Sequence, residues 1–340
     1  MQPAPFFKIR EHGYYGFMDA GGRVVIEPQY LDAGEFYNGF TKVRLNDLWV
    51  PMDALGRLYI RRLYNHIGLF KEDLFRARVV HAWGYIDARG LPVTPFHFDG
   101  AEDFNEGVAA VRFDGKAGFI HPSGQFALPI LFEATGSFSG GLAPAARGGQ
   151  TGYIDRTGKF VIKPDWDHGL PFQGPVAVVV REQAWGLIDR NGRELVPPQF
   201  NFVSGHAHAE FFDGMALAFR DGKYGFLDQR GHIAIEPMFD LAGDFGGGLA
   251  LVEINGAYGY IDKSGKLAVM PKYEDAGVFS EGLAQVCING RWGYIDPQGQ
   301  TVLPPRYNSA APFLNGLAQV VQEGKWMYID QMGRVVWQEK

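Results

Sequence analysis

One run of residues recurs ten times along the 340-residue chain, with substitutions in several copies: an aromatic-Gly-aromatic-aliphatic stretch in its fullest form, closed in every copy by Asp or His with Gly three positions later. The closing residues are Asp19, Asp53, Asp87, His121, Asp155, Asp189, Asp228, Asp262, Asp296 and Asp330, spaced by 34 residues at every step except Asp189 to Asp228, where the step is 39. Units this short cannot bury their own aromatic side chains, so each must stack on its neighbours in a quasi-one-dimensional array. Helical hairpins can share this period, so the interior of the unit decides the class. Trp292-Gly293-Tyr294-Ile295-Asp296 and Thr301-Val302-Leu303 are short, aromatic and β-branched, and Gly or Pro interrupts every window long enough for a helix. The repeat predicts an all-β chain of about ten three-stranded units of 34 residues, forming one domain over residues 1–340.

Each part of the unit has a physical reading. Asp-x-x-Gly joins the first two strands, because an Asp oxygen accepts turn N–H groups and Gly takes the left-handed conformation of a short loop. The second strand is expected to stop at Pro28, Pro164, Pro237, Pro271 and Pro305, since Pro offers no N–H to a ladder. A Phe-x-x-Gly corner, as at Phe279 and Gly282, then leads into a third strand carrying Leu283, Ala284 and Val286. Strand alternation puts Trp292, Tyr294 and Asp296 on one face, and Gly293 is expected to let a neighbouring backbone or ring approach.

The chain opens on a third strand at Phe7-Lys8-Ile9 and ends on a first-and-second pair. Three strands and ten units favour an open, curved superhelical array; the alternative is a closed, propeller-like ring in which the terminal strands pair. The unit Tyr/Trp-Gly-Tyr-Ile-Asp-x-x-Gly-(Lys/Arg)-x-x-x-x-Pro-x-(Tyr/Phe), best matched at Tyr258 and Trp292, resembles the WG-repeat (KWG) family of bacterial β-repeats. The resemblance covers essentially the whole chain. It implies a tandem β-repeat that mediates protein contacts, and it brings no catalytic residue.

Hydrophobic content of 46% supports a buried core, and a formal net charge of -6 gives no global support for nucleic-acid binding. The single Cys287 excludes an internal disulfide and reads as a small buried hydrophobe. No basic leader with an apolar core, and no apolar run near the ~20 residues that span a bilayer, is present, which predicts a soluble cytoplasmic protein.

Function is best sought where the unit breaks, because nine Asp at identical turn positions read as turn caps. In the second unit Arg62 replaces Pro, Asp73 replaces Gly, and Arg57, Arg61, Arg62, Lys71, Arg76 and Arg78 gather against Glu72 and Asp73. This is either a basic, aromatic-laced patch for an acidic partner or nucleic acid, or the solvated face of an eroded repeat. The sixth unit carries the one insertion, five residues within 201–210, where an extended chain would put His206, His208 and Glu210 on one face. That spacing suits a partner-contacting loop or, as an alternative, a divalent metal. His121 departs from Asp in the fourth unit, where Pro122 pre-sets the turn.

No phosphate loop, Gly-x-Ser-x-Gly, His-Glu-x-x-His or Cys-x-x-Cys occurs. The sequence therefore favours a non-enzymatic protein-interaction scaffold without a cofactor, one version of which binds and neutralises, or helps deliver, another bacterial protein such as a toxin. Two alternatives are a carbohydrate or small-ligand binder using the 7 Trp and 15 Tyr, and a metal-dependent enzyme at His206, His208 and Glu210.

Overall fold

The computed structural model describes residues 6–60, 62–201 and 210–340. The repeated turn forms as its chemistry requires. Asp296 Oδ1 accepts the N–H groups of Gln298 (3.0 Å) and Gln300 (2.9 Å), and Gly299 adopts φ +77°. A backbone N–H four residues on is accepted by the carboxylate at all nine Asp markers. His121 keeps the turn on backbone bonds, Gln125 O accepting from its N–H and its own carbonyl from Gly124.

The described residues form ten small antiparallel sheets, three of three strands and seven of four, and none of these residues is helical. Their phase differs from that of the sequence unit. Ala284–Ile288, which follows the Phe279 corner, pairs with Arg291–Ile295 of the next repeat, and that strand pairs with Thr301–Tyr307. The hairpin between the first two is Asn289-Gly290, both at positive φ, a turn whose twist matches its strands. A two-residue strand not anticipated from the sequence, Asp275–Ala276, adds a fourth edge. Phe7–Glu11 likewise pairs with Tyr14–Met18, and Val335–Gln338 with Lys325–Asp330, so the terminal strands each join a sheet with their sequence neighbours.

Proline does not end the second strand. Thr301–Tyr307 runs through Pro304 and Pro305, and its register against Arg291–Ile295 shifts there, which marks a bulge. A proline is tolerated at a bulge because the ladder is already interrupted. The bulge also explains Gly293: a Cβ there would lie 2.5 Å from Leu303 O and 2.7 Å from Pro305 N. The close approach expected at this glycine is real, but it comes from its own sheet and not from the facing repeat. Among the described residues, the segment after the turn keeps only isolated bridges in the second repeat (Trp49↔Tyr64 and Met52↔Leu58), where Val50 stands in place of the glycine, and also in the third (Trp83↔Phe98 and Ile86↔Pro92), which retains Gly84.

The core lies between successive sheets. Tyr294 is fully buried, packs its ring on Phe313 at 4.9 Å and donates its hydroxyl to Ala311 O at 2.8 Å. The same pair recurs at Tyr85–Phe104, Tyr153–Phe172 and Tyr260–Phe279, with Phe replacing Tyr at Phe17, Phe119 and Phe226. Corners are tied along the array by carboxylates: Glu281 accepts the N–H groups of Asn315 and Gly316, and Glu106 those of Gly140 and Gly141.

Contacts divide the chain into two compact units. The first holds Met1–Asp19, Arg23–Glu182 and Ile188–Arg193; the second holds Ala20–Gly22, Gln183–Leu187 and Glu194–Lys340. Within the second, the Ala20–Gly22 turn lies against Val336 of the last strand, so closely that Gly22 has no room for a Cβ.

Candidate partner-binding surface

In the first unit, three successive repeats build the same cation–aromatic set. Lys8 Nζ lies 5.6 Å from the Tyr15 ring centroid, Lys42 Nζ 5.1 Å from Trp49, and the Arg76 guanidinium 5.5 Å from Trp83. Each cation also donates to a backbone carbonyl of the following sheet: Lys8 to Ala33 (3.3 Å), Lys42 to Ile67 and Arg76 to Ala101 (2.9 Å). Two residues further along each strand stands an arginine, Arg10, Arg44 and Arg78, opposite the aromatic residue in the ladder. Side chains directly opposite in an antiparallel pair share one face, so cation, ring and arginine are presented together.

The third repeat is the most developed. The Arg78 guanidinium lies 5.5 Å from the Trp83 centroid and makes no hydrogen bond or ion pair among the described residues. Arg76 pairs with Asp103 (2.9 Å) and approaches Glu102 (3.4 Å). Burial raises the Asp103 carboxyl, although Arg76, Lys71 and Lys42 pull it back. Lys42 is lowered by burial and then by Arg76. The His66 imidazole sits edge-on to Trp83 at 5.2 Å, and burial followed by the charges of Lys42, Arg76 and Arg78 lowers its pKa from 6.5 to about 4. The cluster is thus cationic through Lys and Arg at neutral pH, with His66 held uncharged.

This shift has a sign that stability measurements can read. Above pH 6.5 His66 is neutral folded or unfolded; between 6.5 and about 4 the unfolded chain takes up a proton that the folded chain refuses. Stability should therefore fall across that window, by roughly 2 kcal/mol after discounting partial exposure, and level off below it. Denaturant titrations of His66→Gln should lack that component of the slope, and the His66 ring should titrate near pH 4 by NMR.

The arginines singled out in the sequence do not form one patch. Arg57 turns back on the buried Asp53 carboxylate of its own hairpin at 2.6 Å, and Arg62 stacks over Phe96 at 5.3 Å; Arg76 and Arg78 flank Trp83. Arg61, His206 and His208 lie outside the described residues, and Glu210 is exposed at the margin of that gap. Among the described residues no group of three His, Cys, Asp or Glu is placed to hold a metal. All seven Trp are buried or half-buried, several within the repeat cores. Sequence reasoning missed Lys8, Arg10, Lys42, Arg44, His66 and Arg112. The signal was present as a 34-residue period of cations, Lys8/Lys42/Arg76 and Arg10/Arg44/Arg78/Arg112, within which the basic residues of the divergent second repeat stand out more strongly.

A family model described as WG containing repeat matches residues 15–49, 83–116, 118–150, 152–182, 185–224, 224–256, 258–292 and 292–326. Residues 50–82, which it passes over, belong to the divergent second repeat. No curated protein matches the chain. Among solved structures, the crystal structure of a eukaryotic initiation factor is similar over 99% of this chain and 96% of that chain, at 9% identity and a TM-score of 0.56. Dihydro-heme d1 dehydrogenase NirN in complex with DHE is aligned over 100% of this chain and 77% of its own, at 12% identity and a TM-score of 0.43. The first of these is a likeness of fold alone.

Proposed function

The chain belongs to the WG containing repeat family, and on that premise we propose that it is a non-enzymatic scaffold that binds an acidic segment of another protein through its first four repeats. One observation carries the reading. Lys8, Arg10, Lys42, Arg44, Arg76, Arg78 and Arg112 occupy two equivalent positions in those repeats, whereas the same positions in the other six hold no cation. Seven cations gathered in four repeats of a chain of net charge -6, interspersed with the carboxylates of Glu35, Asp47, Glu102 and Asp103, make an uneven charge distribution, and complementary charge steers and orients an acidic partner. Aromatic rings beneath the cations supply apolar contact, as interface cores do. Neutralising or delivering a second protein, a toxin included, are uses the same surface permits.

A polypeptide fits better than nucleic acid. Lys8, Lys42 and Arg76 are already tied to backbone carbonyls, and carboxylates of Glu35, Glu102 and Asp103 stand among them, which opposes a continuous phosphate track. Calorimetric titration with Glu-rich peptides should give salt-sensitive binding that weakens about tenfold or more when Arg44, Arg78 and Arg112 are changed together to Glu. Binding that ignores those substitutions, or a preference for duplex DNA of equal charge, would refute the proposal.

A further inference from the structure

The fourth repeat lacks the side chains that fill the third. Across the third sheet His66, Arg78, Trp83 and Phe98 stand in one paired row, and Arg76 covers the indole. The equivalent row of the fourth sheet is Gly100, Arg112, Ala117 and Phe132, with Ala110 in place of Arg76. Eight of the ten repeats carry Tyr or Trp where Ala117 stands, so the space is one that an aromatic ring normally occupies. Here it is a cleft of about 200 Å³ between Gly100, Ala110 and Ala117 on one side and Ala134 and Thr135 of the following short strand on the other.

We propose that this cleft seats one aromatic side chain of the partner polypeptide, with an adjacent partner carboxylate meeting Arg112. The inference rests on the acidic-partner reading above and names its anchor. Size favours a single ring: a cavity of ~150 Å³ accepts benzene, whereas small-molecule sites run to ~300–1,000 Å³. One rim residue, Arg112, favours an acidic neighbour. Of the ionic groups at the rim, Glu133 accepts the N–H groups of Gly148 and Gly149 and Glu102 faces Arg76, while the exposed Arg112 side chain has no hydrogen bond or ion pair among the described residues. A buried aromatic anchor beside an arginine is the composition of binding hot spots.

The test uses the full chain and two peptides of equal charge, one with Trp flanked by Glu and one with Ala in place of that Trp. The Trp peptide should bind about tenfold more tightly. Ala117→Trp, which restores the residue of neighbouring repeats, should abolish the difference while leaving the weaker binding of the Ala peptide intact. Ala110→Leu, the residue at this position in the seventh and eighth repeats, should do the same from the neighbouring strand of the same wall. Equal binding of both peptides by the unaltered chain would overturn the cleft assignment and leave the acidic-partner reading standing. Binding of neither peptide would overturn both. Indole-3-acetate competing at the affinity of the whole Trp peptide would overturn the polypeptide as the source of the ring.

Discussion

Gly293→Val should destabilise the protein by roughly 3 kcal/mol or more, read as a lowered denaturant midpoint with unchanged cooperativity. The reason is backbone against backbone. A Cβ at this position would sit 2.5 Å from Leu303 O, 2.7 Å from Pro305 N and 2.9 Å from Pro304 C, and none of these atoms can swing away as a side-chain tip can. To admit the valine the bulge must flatten, which breaks the register that pairs Trp292 with Tyr307 and Tyr294 with Leu303. Gly282→Ala is the control: it has φ +83° and nothing within 4 Å of the added Cβ, so only left-handed backbone strain of about 1–2 kcal/mol applies. Equal losses at both positions would mean that the bulge yields freely and that the glycine is there for conformation alone.

Tyr294→Ala should cost about 3–5 kcal/mol, the usual range for deleting a buried ring. The ring contributes to a core formed with Leu303, Tyr307, Phe313, Val320 and Ile329, spanning two successive sheets. Tyr294→Phe should cost only about 1 kcal/mol, the net worth of the hydroxyl donated to Ala311 O. Phe17, Phe119 and Phe226 already stand at equivalent positions, so the ring without its hydroxyl is compatible with this packing. Because stability in such arrays is a sum of neighbour terms, exchange protection should fall most in the sheets that adjoin Tyr294 and least in distant repeats. A uniform loss of protection along the chain would argue instead for one cooperative unit.

Much of the fold was legible because it is local chemistry repeated. Asp-x-x-Gly could be read as a capped turn from two residue types, and all nine Asp markers cap. The pairing of Ala284–Ile288 with the next repeat's Arg291–Ile295 was less legible, since a sequence unit may be cut at any phase while a sheet is cut where hydrogen bonds stop. Pro305 was misread as a strand end because its role depends on the bulge, and the bulge depends on the missing side chain of Gly293 across the ladder.

The surface was read less well than the scaffold. Arg57 and Arg78 look alike in a stretch of basic residues, yet one closes its own turn on Asp53 and the other stands over Trp83 without a partner among the described residues. Periodicity and composition determined that this chain is a tandem β-array with Asp-capped turns and buried rings, because those properties arise within a few residues of one another. Which arginines remain available, and that Ala110 and Ala117 leave a cleft beside Ala134, was settled by packing. Two residues seven positions apart share a face only through the hairpin register, and they face Ala134 only because the next sheet stacks upon them.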